Sequence, residues 1–193
     1  MKKLASTIVG VAALAGVSQA EVWNVDPAHT SIGFTVRHLV VTKVRGQFTD
    51  FAGEINWDGK DLTKGSVNFT VQAKSINTDI PKRDDHLRSA DFLAVDSFPT
   101  LTFKSTKIVP GSGDNFKMTG DLTIRGVTKE VTFDCTNNGT VSAFGGTRAG
   151  FSATATINRQ DFGVSWSKAL DNGGLVAGND VNLDIEVEAV KAQ

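Results

Sequence analysis

From Thr30 onward, apolar residues recur at every second position, the period of a strand with one face in an apolar phase and one in water. In Thr30–His38, Ile32, Phe34 and Val36 alternate with Ser31, Gly33, Thr35 and Arg37. Val44–Trp57 reads as a long strand, yet Phe48 and Phe51 lie three apart, with Gly46 and Gly53 close by, which predicts a bulge or sharp bend. Asp58-Gly59 is a turn signal, and Ser66–Ala73 alternates again with Val67, Phe69, Val71 and Ala73 on one face. Further strands are predicted at Thr100–Ile108, Phe116–Ile124, Val127–Asn137, Ala149–Ile157 and Val181–Ala189. Turns fall at Pro110–Asn115 and Arg125-Gly126, and Asn137–Gly146 reads as a polar loop.

Two stretches break the pattern. Pro81–Pro99 crowds Lys82, Arg83, Asp84, Asp85, His86 and Arg88 into its first half and places Phe92, Leu93 and Phe98 in its second. Pro81 suits a first helical turn, Asp79 or a neighbour can cap it, Asp84 and Arg88 stand at i,i+4, and Pro99 ends any helix. This predicts a short helical cap near 81–92. The second irregular stretch, Arg159–Asn179, carries Phe162, Trp166 and four glycines.

About eight strands with short connections make an all-β, mostly antiparallel fold, either a sandwich or a closed barrel. The barrel is favoured because the two irregular stretches can sit over its openings. A membrane barrel has the same period in the opposite sense. It is disfavoured here by the lack of Tyr, by only three Trp, and by a C-terminal strand that trails into Val190-Lys191-Ala192-Gln193.

Composition adds a compartment. Met1–Ala20 has Lys2 and Lys3, an uncharged run to Val17, and Ser18-Gln19-Ala20 before Glu21, the form of a secretory signal peptide. Its core is too short for the ~20 residues of a membrane span. The expected product is one domain, 21–193, exported to the periplasm, with 18 basic residues against 21 acidic and no footprint for nucleic acid. Cys135 stands alone, in phase with Val131 and Phe133, so a buried apolar role is expected for it and no intramolecular disulfide.

A series of stretches in order resembles the YceI-like family of exported, polyisoprenoid-binding, lipocalin-like proteins. They are Trp23–Thr30 (WNVDPAHT), Ile32–Leu39 (IGFTVRHL), Gly46-Gln-Phe48 with Phe51-Ala-Gly53, Ser75–Thr78, Arg83–Leu87 running to Asp91-Phe92, Phe98-Pro99 with Phe103-Lys-Ser105, Gly120–Ile124 with Gly126-Val-Thr128, and Asn158–Gly163. Phe92-Leu93-Ala94 stands where the family often has Phe-Phe-Asp. The resemblance implies a lipocalin-like closed barrel with a long apolar cavity. It also implies a bound isoprenoid or other long-chain amphiphile as ligand and partner, with no cofactor and no catalytic residues.

On that basis the ligand-binding candidates are Ile32, Phe34, Val36, Phe48, Phe69, Phe92, Phe98, Phe103, Phe133, Phe151, Phe162 and Trp166. The alternative for the aromatic set is a solid core. His29, His38, Arg83, His86 and Arg159 are candidates for a polar head group, since guanidinium donors suit phosphate. Ion pairing of the helix to the barrel rim is the alternative for Arg83–His86. His29 and His38 are nine apart and would face opposite sides of one strand, a poor arrangement for a shared metal, and no metal site is expected. The two sequons, at Asn68 and Asn138, are given no role. Other readings left open are an enzyme using His86 with Asp84 or Asp85, although no G-x-S-x-G elbow occurs, a stress-related barrel with a packed interior, and a homodimer.

Overall fold

The structure is a computed structural model that describes residues 20–169 and 174–193. The signal-peptide expectation therefore lies outside the described residues. Eleven strand segments form: β1 (Glu21–Val25), β2 (Ser31–His38), β3 (Thr42–Phe48), β4 (Phe51–Trp57), β5 (Ser66–Gln72), β6 (Ile76–Asn77), β7 (Thr100–Pro110), β8 (Asn115–Ile124), β9 (Val127–Ala143), β10 (Gly146–Asn158) and β11 (Ala177–Lys191). One α-helix, α1 (Pro81–Arg88), interrupts them.

The segments make eight ring strands, because three of them come in two pieces laid end to end. β1 and β2 follow the same edge of β11, with Val25 opposite Ala189 and Ser31 opposite Glu186. β4 pairs with β1 and β3 with β2, and β5 and β6 pair with β4 and β3 in turn. From β5 onward each strand pairs with the next through β7, β8, β9 and β10, and β11 closes the ring. Every pairing is antiparallel, so this is an up-and-down barrel without a free sheet edge.

The breaks at 26–30, 49–50 and 73–75 sit on successive ring strands. There the backbone ladder is replaced locally: Thr30 Oγ1 donates to Glu188 O and accepts from Glu188 N, and Thr49 N donates to Ser75 O. Bends of this kind let a sheet curl tightly enough to close. The predicted bend between Phe48 and Phe51 is one of the three.

The apolar phase faces inward. Along β11, Val181, Leu183, Ile185 and Val187 belong to the interior cluster or pack against it, while Asn182, Asp184, Glu186 and Glu188 alternate on the other face. That is the reverse of a membrane barrel, and no helix among the described residues is long and apolar enough to cross a membrane.

Three local expectations change. Asn137–Gly146 is not a loop: β9 runs to Ala143, with Gly139 opposite Gly150 and Asn137 opposite Phe151 across a bulge, and the turn shrinks to Phe144-Gly145. Most of this part of the hairpin is exposed on both faces, so no apolar alternation marked it. Asp79 does not cap α1; the cap position is Ile80, without a side-chain bond, and Pro81 opens the helix. Asp84 and Arg88 do not pair. Asp84 turns inward to Thr78, and Arg88 bonds Asp85 and the carbonyls of Lys74 and Ile76.

In an up-and-down ring, the connections that leave odd-numbered strands all lie at one end. The turn 39–41, the segment 78–99 with α1, the Arg125-Gly126 turn and the described parts of the connection from β10 to β11, 159–169 and 174–176, therefore share one end of the barrel. The two irregular stretches cover the same opening rather than opposite ones. The far end is plugged by Trp23, Trp57 and Phe151, with ring centroids 5.6 and 5.8 Å apart in succession, and Trp23 Nε1 donates to the Trp57 carbonyl.

Candidate functional site

The barrel is hollow. A chamber of about 140 Å³ lies toward the plugged end, and one of about 290 Å³ lies under the irregular segments. Phe48, Leu101, Ile124 and Leu183 line both and form the waist between them. The larger chamber stands at the lower end of the ~300–1,000 Å³ usual for ligand pockets.

The lumen stays open because of where the phenylalanines lie. Phe34 on β2 is directly opposite Gly46 on β3, and Phe69 on β5 is opposite Gly53 on β4. Phe103 on β7 lies over Gly120 on β8. A Cβ on Gly53 would stand 2.7 Å from Cε1 and 2.8 Å from Cζ of Phe69, and one on Gly120 would stand 2.5 Å from Cζ of Phe103. Each ring lies against the bare backbone of its neighbour instead of crossing the lumen. An inward phenylalanine beside a larger residue would have to project toward the axis and fill the space.

The smaller chamber is lined by Ile32, Phe48, Phe69, Phe103, Phe133 and Phe151 of the sequence candidates. Trp57, Ile108, Phe116, Met118 and Leu122 join them, and were not singled out as site residues although the alternation in β8 marked an inward face. Cys135 is also in this wall. Burial pushes its thiol up to about 12, as for an inert apolar side chain.

The larger chamber gathers Phe34, Val36, Phe92, Phe162 and Trp166, together with His38, Arg83, His86 and Arg159. Polar side chains therefore concentrate at the lidded end. Asp84 is buried and accepts from both the backbone N–H and the hydroxyl of Thr78 at 2.9 and 2.5 Å. Arg83 donates from Nε to Thr78 Oγ1 and from Nη2 to Thr78 O, and Nη1 makes no hydrogen bond among the described residues. This Thr78–Arg83–Asp84 knot ties the end of the third ring strand to α1. The sequence offered Asp84 only as a possible acid–base partner of His86 and did not mark Thr78, because a buried Asp–Thr bond has no sequence period.

Arg159 is buried, and among the described residues it has no carboxylate partner. It donates to the carbonyls of Val164, Ala177 and Gly178 and to Asn179 Oδ1, and desolvation lowers its pKa. Its fork is largely occupied in holding 159–164 to the start of β11. His86 Nε2 is 2.8 Å from Asp91 Oδ2, and its ring meets Phe92 and Trp166 edge-on at 5.0 and 5.5 Å. Phe92 and Trp166 are 5.3 Å apart. This trio clasps one irregular segment to the other over the chamber. The couple of His86 with Asp84 or Asp85 considered above does not form, since His86 faces Asp91, Asp84 faces Thr78, and Asp85 faces Arg88.

Two candidates lie elsewhere. Phe98 does not line either chamber; its ring packs over Gly126 in the β8–β9 turn. His29 lies on the outer wall in the break between β1 and β2, where Nδ1 is 2.9 Å from Asp26 Oδ2 and 3.8 Å from Glu188 Oε1. The hydrogen bond to Asp26 raises its pKa, and the same bond lowers that of Asp26. Although these three side chains could converge on a cation, Arg148 already bridges Asp26 and Glu188 at 3.4 and 2.8 Å, so a guanidinium supplies the positive charge.

Fold and site together define a lipocalin-like barrel: a closed antiparallel ring with an apolar lumen, polar groups at one end and a two-segment lid. The chain belongs to the YceI-like family, whose domain profile matches residues 23–189. A UPF0312 protein of Staphylococcus aureus is 37% identical over 165 residues, covering 84% of this chain and 94% of that one. The crystal structure of a Campylobacter jejuni YceI protein superposes with a TM-score of 0.70 at 31% identity, over 81% of this chain and 90% of that chain. A structure described as a polyisoprenoid-binding domain from Saccharophagus degradans, implicated in plant cell wall breakdown, gives a TM-score of 0.63 at 14% identity, over 88% and 98%.

Proposed function

We propose that this protein binds one long-chain isoprenoid or similar amphipathic lipid inside the barrel and carries or sequesters it in the periplasm. The observation that carries the reading is the polarity gradient across two adjoining chambers that share four wall residues. The smaller chamber is walled almost entirely by aliphatic and aromatic side chains, whereas Thr78, Arg83, His86 and His38 stand at the other end. A tail in the smaller chamber and a polar end beneath α1 match that gradient. The polyisoprenoid-binding domain that shares this fold supports the choice of ligand class.

Energetics favour the same orientation. Each buried CH₂ contributes ~0.8 kcal/mol, so a few isoprene units offer ~10 kcal/mol before the entropy of binding is subtracted. A partly exposed ion pair at the lid offers ~0–1 kcal/mol. The tail sets affinity, and the polar groups set direction. The exported address rests on the basic, apolar and small-residue run of Met1–Ala20.

The test is mass spectrometry of an organic extract from the purified protein, followed by titration of the stripped protein with a polyprenyl phosphate and its alcohol. Stoichiometric recovery of a long-chain lipid is expected. A protein that yields none, and takes up neither probe, would overturn the proposal.

A further inference from the structure

The turn between β2 and β3, at the lidded end, carries Leu39, Val40 and Val41 with 37%, 52% and 82% of their surface exposed. Leu39 and Val40 also have φ of 51° and 65°. That is the left-handed region, where a β-branched side chain is strained and glycine or asparagine is favoured. The turn, closed by Val41 N donating to His38 O, needs that geometry at both central positions, yet they are filled by apolar side chains left in solvent and not by glycine or asparagine. Strain combined with exposed apolar surface points to a partner.

Charge says which partner. Arg37, Lys43 and Arg45 flank the tip and are exposed, and no Asp or Glu occurs between Thr30 and Thr49. Arg37 Nη1 donates to Val40 O, holding the turn in shape. Leu39 N donates to Val176 O, and Val176 N to Lys168 O, which brings the exposed Lys168 segment alongside. Of the described acids on the lid, Asp84 is buried on Thr78, and Asp85 and Asp91 are paired with Arg88 and His86. The exposed Asp79, Asp96 and Asp161 lie on the two lid segments rather than on this hairpin, and Asp180 lies on β11 opposite Asn158. The whole chain carries a formal charge of −1, so this hairpin is cationic against the trend of the molecule.

We propose that the β2–β3 tip docks on an anionic lipid bilayer. Leu39, Val40 and Val41 enter the acyl boundary, and Arg37, Lys43 and Arg45 meet the phosphates, which sets the mouth of the larger chamber against the membrane. The proposal draws its purpose from the lipid-carrier reading, but its evidence is the surface itself.

Flotation of the mature protein with vesicles of phosphatidylcholine, alone or mixed with phosphatidylglycerol, tests it. Partition is expected to be about tenfold or more stronger on the mixed vesicles and to weaken with salt. Val41→Asp, and separately the pair Lys43→Glu and Arg45→Glu, should each remove most of that binding. Phe144→Asp, at an equally exposed apolar residue on the opposite end, should leave it unchanged. Val41→Trp should blue-shift on the mixed vesicles and be quenched by brominated lipid. Equal partition to both vesicles, binding that survives Val41→Asp, or an equal loss with Phe144→Asp would overturn the proposal, and a tip that serves a protein partner instead would give no vesicle binding at all. Lipid content is measured on every variant, so a protein that carries no lipid yet still docks counts against the carrier reading and not against the membrane surface.

Discussion

Gly53→Ala is the sharpest probe of whether the lumen is a working cavity. The new Cβ would lie 2.7 and 2.8 Å from two atoms of the Phe69 ring, and 2.8 Å from Cγ2 of Val25 on its other side. Ordinary contact begins at 3.4 Å, so the ring must retreat by about 0.7 Å. Val25 is buried, so relief has to come from Phe69, and Phe69 borders the smaller chamber. In a filled core that displacement would cost ~1–3 kcal/mol, and each kcal/mol lowers Tm by ~2–4 °C in a domain of this size. Here the ring moves into void. Replacing a strand glycine also returns about 0.5–1 kcal/mol. Tm should therefore change by no more than a few degrees, while the lipid recovered from the purified variant falls. Phe69→Leu in the same background should restore the load by reopening the space. A large drop in Tm with undiminished lipid would refute the reasoning, because it would mean that Phe69 sits in a packed interior.

The remaining predictions concern charge and burial. Arg83→Ala should weaken a polyprenyl pyrophosphate by about tenfold or more, the scale of a hydrogen bond to a charged group, and leave the alcohol nearly unchanged in parallel titrations; equal losses would mean that Arg83 only anchors α1 through Thr78. The raised pKa of His29 means that its contribution to stability is present below its ordinary value of 6.5 and is lost as pH rises through the raised value. The lowered pKa of Asp26 works in the other direction, its contribution being present above 3.8 and lost as pH falls through the depressed value. The Tm difference between wild type and His29→Gln should thus shrink from mildly acidic to alkaline pH, and a difference independent of pH would contradict the assignment. Cys135, with its thiol near 12, should resist iodoacetamide in the folded protein and react only after denaturation, as read by intact mass.

Much of this fold was legible from the chain alone, because period-two alternation specifies which side chains share a face whatever the strands pair with. The inward residues of β8 and β11, the bend between Phe48 and Phe51 and the Arg125-Gly126 turn are local consequences of side-chain period and backbone freedom. A short helix opening at Pro81 is another. Which way the apolar face points, and whether an eight-stranded ring rich in phenylalanine leaves a hole, are not local properties. Closure of β11 onto β1 and β2 turns the alternating face inward. Cross-strand register sets Phe34 on Gly46 and Phe69 on Gly53, and that coincidence of partners keeps the lumen empty. Tertiary packing likewise sends His29 to an outer ion-pair cluster and Phe98 over Gly126, although both stand in stretches that read as part of the site. A sequence fixes the facing of each residue through the strand period, but the neighbour it meets is chosen by pairing between segments distant in the chain, and only the folded barrel supplies that pairing.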